Sequence, residues 1–135
     1  MSWCPVLTLP VPPSANRYWR HFGTRVVKSK EAKLYIEGVW QLATRHRKYR
    51  VEGGEVAVRV VWHRKRRSGD LDNRIKVFLD ALAGIAYVND SQIAYQESER
   101  IDDGLGVMEV SWMALPAVRT TSKLLSLLPL ESLTP

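Results

Sequence analysis

The spacing of apolar positions divides the chain into six predicted elements separated by polar or proline-containing breaks. "VLTL" at 6–9 alternates weakly and predicts a short first strand. Pro10, Pro12 and Pro13 end it, because each removes a ladder donor and fixes φ. The segment "PVPPSANRYWR" therefore reads as an extended loop. In "SKEAKLYIEGVWQLATRHRKYR" the period becomes helical, with Ala32, Tyr35, Ile36, Val39, Leu42, Ala43 and His46 on one face. Ser29 is the predicted N-cap and Glu31 lies in the first turn. Arg45, Arg47, Lys48 and Arg50 load the last turn, where cations suit the helix dipole, and "EGG" breaks the helix.

In "EVAVRVVWH" the period is two: Val56, Val58, Val60 and Trp62 face one way, predicting a strand. "RIKVFLDALAGIA" predicts a second helix, starting at about Asp72. Leu71, Ile75, Phe78, Leu79, Leu82 and Ala86 share an arc of about 100°. A turn at Asn89-Asp90 leads to a strand from Ile93, "DDGLG" forms another turn, and "VMEVSWMAL" is a final strand. The order β-loop-α-β-α-β-β predicts an α+β domain, with helices packed on a mixed, largely antiparallel sheet. One domain is expected over 1–116, and 117–135 is an extension to which no role is assigned.

Charge sharpens this outline. Residues 1–67 carry 15 Lys/Arg against 4 Asp/Glu, whereas residues 68–135 carry 5 against 10. The asymmetry suggests a polyanion met mainly through the first half, and nucleic acid is the obvious candidate. A basic surface that only maintains solubility explains the charge equally well. Arg17 and Arg20 bracket Tyr18 and Trp19, a mixture suited to a nucleic-acid groove and also to a lid over the core. Cys4 is the sole cysteine, so neither an intrachain disulfide nor a cysteine zinc site is expected. No apolar run is long enough to span a bilayer, and the start lacks a signal-peptide pattern. A cytoplasmic protein without membrane contact is expected.

The densest chemistry is "RKRRSGDLDN" at 64–73, where the cations Arg64, Lys65, Arg66 and Arg67 run into Asp70 and Asp72. Lys76 follows one turn after Asp72, and Asp90 comes after the helix. Hard carboxylate oxygens are what Mg²⁺ prefers, commonly a few of them with waters and substrate phosphate. A nearby lysine would neutralise charge developing on a phosphate. Each acid also has a plain structural explanation: Asp72 as an N-cap, Asp70 as a partner of the helix dipole, Asp80 as a surface partner of Lys76 or Arg74, and Asp90 as a turn residue. "DLD" has the form of a D-x-D phosphatase nucleophile too, but that motif follows an apolar strand end directly. The three histidines are dispersed and offer no rival site.

Three blocks, "LPVPPSANRYWR", "RRSGDLDNRIKVFLDAL" and "VNDSQI", together resemble the RusA family of Holliday-junction resolvases, common in phages and prophages. The resemblance covers most of residues 6–112. It implies a homodimer that binds branched, four-way DNA and makes paired symmetric nicks with Mg²⁺, or with Mn²⁺ in its place. Carried over by position, it implies Asp70, Asp72 and Asp90 as metal-binding catalytic acids and Lys76 as the catalytic lysine. Asp80 matches a further family position, and Asn89 stands where relatives often have a second acid. Arg17, Arg20, Arg64, Lys65, Arg66 and Arg67 are the expected DNA contacts. Two other functions fit the same residues: a non-catalytic DNA-binding recombination accessory, and a nuclease preferring forks or flaps.

Overall fold

The computed structural model describes residues 2–117. The expected extension therefore lies, apart from Ala117, outside the described residues. Strand β1 (Leu7–Pro10) leads into a one-turn helix α1 (Ala15–Tyr18) and a hairpin of β2 (Trp19–Phe22) and β3 (Arg25–Lys28). Helix α2 (Lys30–Leu42), strand β4 (Val56–His63), helix α3 (Leu71–Ala81) and strands β5 (Ile93–Ile101) and β6 (Val107–Ala114) complete the domain.

The main sheet has four strands in the order β1-β6-β4-β5. β6 pairs antiparallel with both β1 and β4, whereas β5 runs parallel to β4. A parallel pair cannot be closed by a tight turn and needs a crossover, which α3 supplies. The alternation in β4 is real: Val56, Val58, Val60 and Trp62 are buried. They join Leu7, Leu9, Met108, Val110 and Trp112 from the neighbouring strands. Ile75, Phe78, Leu79 and Leu82 of the α3 segment, and Val39 and Ala43 from the α2 segment, fill the same core. A smaller cluster of Ala57, Met113 and Leu115, flanked by Trp3 and Tyr95, covers part of the opposite sheet face.

Helix α3 ends at Ala81, five residues short of the expected Ala86, and two further elements depart from the sequence reading. Helix α2 begins as expected, with the Ser29 hydroxyl accepting from the Ala32 amide at 3.0 Å. It ends at Leu42, and residues 44–49 tighten into a 3₁₀ turn. The Thr44 hydroxyl lies within bonding distance of the Trp40 and Gln41 carbonyls, at 3.2 and 3.0 Å. This back-bonding bends helix ends. Distant groups then hold the turn. The Trp112 indole donates to the Tyr49 carbonyl at 3.0 Å, and His46 Nε2 lies 3.0 Å from the Pro5 carbonyl. Leu42, expected on the buried face, is 59% exposed.

The second departure is the β2–β3 hairpin with α1 before it, where an extended loop was expected. β2 and β3 form a two-stranded sheet separate from the main one. Isolated hairpins are marginal in water. This one is rooted by Tyr18, fully buried with Ala32, Val77 and Ala81 between α1, α2 and α3.

The two outcomes for apolar positions set a stability test. Phe78→Ala empties a fully buried position and should destabilise by about 3–5 kcal/mol. Leu42→Ala, although aligned with the apolar stripe, should change stability by no more than about 0.5 kcal/mol. Urea unfolding followed by tryptophan fluorescence measures both.

Candidate active site

The site is assembled by the β4–α3–β5 crossover. At the end of β4 the chain enters the basic loop, whose base is held by an electrostatic clip. Arg64 Nε and Nη2 donate to the two carboxylate oxygens of Asp102, at 2.6 and 2.9 Å. Its Nη1 donates to the Gly69 carbonyl at 3.2 Å. Arg64 is 8% exposed, so its guanidinium braces the loop and does not face solvent. That differs from the expectation that all four cations are surface contacts. Lys65, Arg66 and Arg67 are exposed as expected.

His63 completes the clip. Its Nδ1 lies 2.6 Å from Asp103, and its Nε2 bonds Glu109 on β6. The hydrogen bond to Asp103, then that to Glu109, raises the histidine pKa above its ordinary value of 6.5. The same His63 bond holds the Asp103 carboxyl below 3.8. Gly69 closes the loop against Trp62 with φ +97°, and a Cβ there would lie 3.0 Å from the indole and 3.2 Å from the Arg74 guanidinium. The tight approach suits glycine on both counts.

Helix α3 then starts with Asp70 as its N-cap, in extended conformation. Asp70 Oδ1 accepts from the Asp72 amide at 3.2 Å, and Oδ2 from the Asn73 side-chain amide at 3.4 Å. Asp72 and Lys76 stand one turn apart on the exposed side of the helix. Together with Leu79, Asp90, Ile93 and Gln96 they line an open cavity of about 400 Å³ between α3 and the start of β5. The fold thus brings back Asp90, 18 residues beyond Asp72 in the chain. Asp70 does not line this cavity, because as the cap it turns toward the amides that follow it. Among the described residues, no three His, Cys, Asp or Glu side chains are grouped so as to hold a metal by themselves. Asp72 and Asp90 nevertheless both bring hard carboxylate oxygens to one cavity. That fits a hard divalent cation that completes its shell with water and phosphate oxygens.

Asp90 owes its position to its neighbours. Asn89 Oδ1 accepts from the Ser91 amide at 2.9 Å, capping the short 3₁₀ turn Asp90–Gln92. Gln92 Oε1 accepts from the Val88 and Asn89 amides at 2.8 and 3.0 Å. The Gln92 side-chain amide donates to the Val51 and Gly54 carbonyls at 3.3 and 3.1 Å. Gln92 is thus a positioning residue that the sequence reading did not single out, although the glutamine three residues after Asn89 was its signal. Asp80 serves elsewhere: it accepts from the Tyr18 hydroxyl and pairs with Lys28 at 3.4 Å. Burial, the bond to Asp80 and its charge all push the Tyr18 phenol far up, so it remains a donor. Of the remaining cations, Arg17 and Arg20 flank Trp19 along an open groove of about 490 Å³ that also includes Lys30. Arg17 also pairs with Glu31 at 3.0 Å.

Asp72, Lys76 and Asp90 thus offer two carboxylates and an ammonium group to one cavity on a small α+β domain. In comparison with known families, residues 10–111 match the family model described as endodeoxyribonuclease RusA. The chain belongs to the RusA family. It is 35% identical over 89 residues to proteins named crossover junction endodeoxyribonuclease RusA from Escherichia coli K12, from Shigella sonnei and from Enterobacteria phage 82. In each case the match covers 64% of this chain and 74% of the relative.

The clip gives the domain a pH signature. The raised pKa of His63 means that its contribution is full below pH 6.5 and is lost as pH rises through the higher folded value. The lowered pKa of Asp103 means the reverse: its contribution is full above pH 3.8 and is lost as pH falls through the lower folded value. The stability difference between wild type and His63→Gln should therefore be greatest from pH 3.8 to 6.5 and shrink on either side. Thermal unfolding across pH measures it; a difference that grows above neutrality would refute the charged clip.

Proposed function

We propose that the chain is a divalent-metal-dependent, structure-selective endodeoxyribonuclease that resolves four-way DNA junctions by paired symmetric nicks during recombination and repair. The carrying observation is that Asp72 and Lys76 of α3 line one open cavity with Asp90, which lies 14 residues beyond Lys76 in the chain, while the exposed cations of residues 65–67 lead into the same helix. The family match and the names of the relatives support the same reading. Mg²⁺ is the proposed metal, with Mn²⁺ able to substitute, and DNA inside a bacterial or phage-infected cell is the proposed substrate.

Asp72 and Asp90 would hold the cation. A divalent metal held by them would offset charge on the scissile phosphate and make water more acidic. Hydrolysis forms a new oxygen–phosphorus bond from water and breaks one to the leaving sugar oxygen. The Lys76 ammonium, at the same cavity, stabilises charge gathering on the phosphate and the leaving oxygen. Asp70 would contribute in two ways. Its cap aims the helix start, and its exposed carboxylate would add a third acid on rotation away from the cap. Arg17, Arg20, Lys65, Arg66 and Arg67 would hold the DNA backbone, and Arg64 would brace the loop beneath them. A four-way junction has near two-fold symmetry and requires two opposed cuts. A C2 homodimer presents two equivalent sites to two equivalent phosphates.

Asp72→Asn and Asp90→Asn should each abolish cleavage of a synthetic four-way junction in Mg²⁺ while leaving binding nearly unchanged. Asparagine caps a helix as well as aspartate, so Asp70→Asn should fold normally and isolate the role of the charge. Retained cutting by an Asp72→Asn/Asp90→Asn protein would refute the site. Binding without cutting by wild type would mark an accessory protein, and faster cutting of forks or flaps would move the substrate preference. Each alanine at Lys65, Arg66 or Arg67 should reduce the slope of log affinity against log salt by about 1. Arg64→Ala should chiefly reduce stability.

A further inference from the structure

The part of the β2–β3 hairpin beyond Arg20 is not used by the site described above. It is a two-residue-loop hairpin, with Phe22 opposite Arg25 and Gly23 and Thr24 at the tip. Gly23 has φ +61°, the left-handed conformation that such tight hairpin loops require of their first residue. Every residue from Arg20 to Val26 is exposed, so the outer half of the hairpin is solvated on both faces. Yet it carries Phe22 at 59% and Val26 at 55% exposure. Large apolar side chains near the end of the hairpin add nothing to the core.

Charge identifies the occupant. Residues 19–28 contain Arg20, Arg25 and Lys28 and no acid. Alternation along the two strands places Arg20, Phe22 and Arg25 on one face. The Arg20 guanidinium lies 5.9 Å from the centre of the Phe22 ring. An aromatic ring that shares its face of the hairpin with two arginines is the chemistry that receives a nucleobase flanked by phosphates. The root of the arm is tied to the site helix. Lys28 and Tyr18, at its two ends, both bond Asp80, two turns beyond Asp72 on α3.

We propose that the β2–β3 hairpin is a branch-point arm, with Phe22 stacking on a base exposed where DNA strands exchange and Arg20 and Arg25 gripping the adjoining phosphates. A continuous duplex offers no such base, so the arm confers selectivity for branched over linear DNA. The proposal rests on the nuclease reading above and names the residue that recognises the branch.

The test compares wild type, Phe22→Ala and Phe22→Trp on a synthetic four-way junction with 2-aminopurine at the branch point and on a linear duplex of the same sequence. Ca²⁺ replaces Mg²⁺ in the binding assays. Phe22→Ala should lose about five- to a hundredfold in junction affinity, together with the 2-aminopurine response, and should retain duplex affinity. Phe22→Trp should retain both junction signals. Equal junction affinity and an equal 2-aminopurine response for wild type and Phe22→Ala would overturn the arm while leaving the nuclease reading standing. So would equal losses on junction and duplex, or a change of oligomeric state in sedimentation, which would assign the tip to a protein–protein contact. Wild type that neither prefers nor cuts the junction in Mg²⁺ would overturn the nuclease reading and the arm with it.

Discussion

The parallel pairing of β4 with β5 is the constraint from which the site follows. β5 lies beside β4 from Val56↔Ile93 to His63↔Ile101. After His63 the chain must therefore travel back along the sheet before β5 can begin. Helix α3 makes that return and seals the core with Ile75, Phe78 and Leu79. Its solvent side carries Asp72 and Lys76 past the start of β5, where Asp90 and Gln96 complete the cavity. An antiparallel hairpin would have joined the two strands directly and left no helix between them. The chemistry is thus a by-product of strand direction, and the apolar side of α3 holds its polar side in place.

Much of this was legible because it leaves a periodic trace. Val56, Val58, Val60 and Trp62 declare β4, and the arc through Ile75, Phe78 and Leu82 declares α3, because each pattern is imposed by a core on one side. The acids were readable as candidates from type and spacing, but the partner set of each was not. Asp70 as cap, Asp80 as anchor for Tyr18 and Lys28, and Asp90 as cavity wall differ only in three-dimensional surroundings. Arg64 is the clearest case. It looks like its three neighbours in sequence, and only the return of Asp102 by way of β5 removes it from solvent. The hairpin left no trace because its outer residues face water on both sides, so no inside–outside alternation is written into them. The end of α2 was equally silent, since the groups that hold the 3₁₀ turn come from Trp112 and Pro5.

The loop between β4 and α3 joins two demands that oppose each other. Its cations repel one another and favour an open, mobile loop, whereas a site needs Asp70 and Asp72 fixed. The conflict is resolved by spending one cation internally. Arg64 is neutralised by Asp102, Gly69 is drawn down onto Trp62, and Arg74 spans from the face of the same ring to the Pro12 carbonyl at 3.0 Å. The remaining charges then project from a loop fixed at both ends. This is why the cations of residues 64–67 cannot be treated as interchangeable.

The order of strands in the sheet also bears on how the chain comes into being. β6, last in sequence among the described strands, lies between β1 and β4 in space, and Leu7 pairs with Val110. One of the two interior strands, the one that joins β1 to β4, is therefore missing until synthesis has passed Ala114. Contacts spanning so much of the chain carry a large loop-closure penalty before any of them is made. During translation the first 67 residues, with 15 basic and 4 acidic side chains, emerge before their fold can close. That half is strongly basic, and its own residues cannot complete the sheet in which they end.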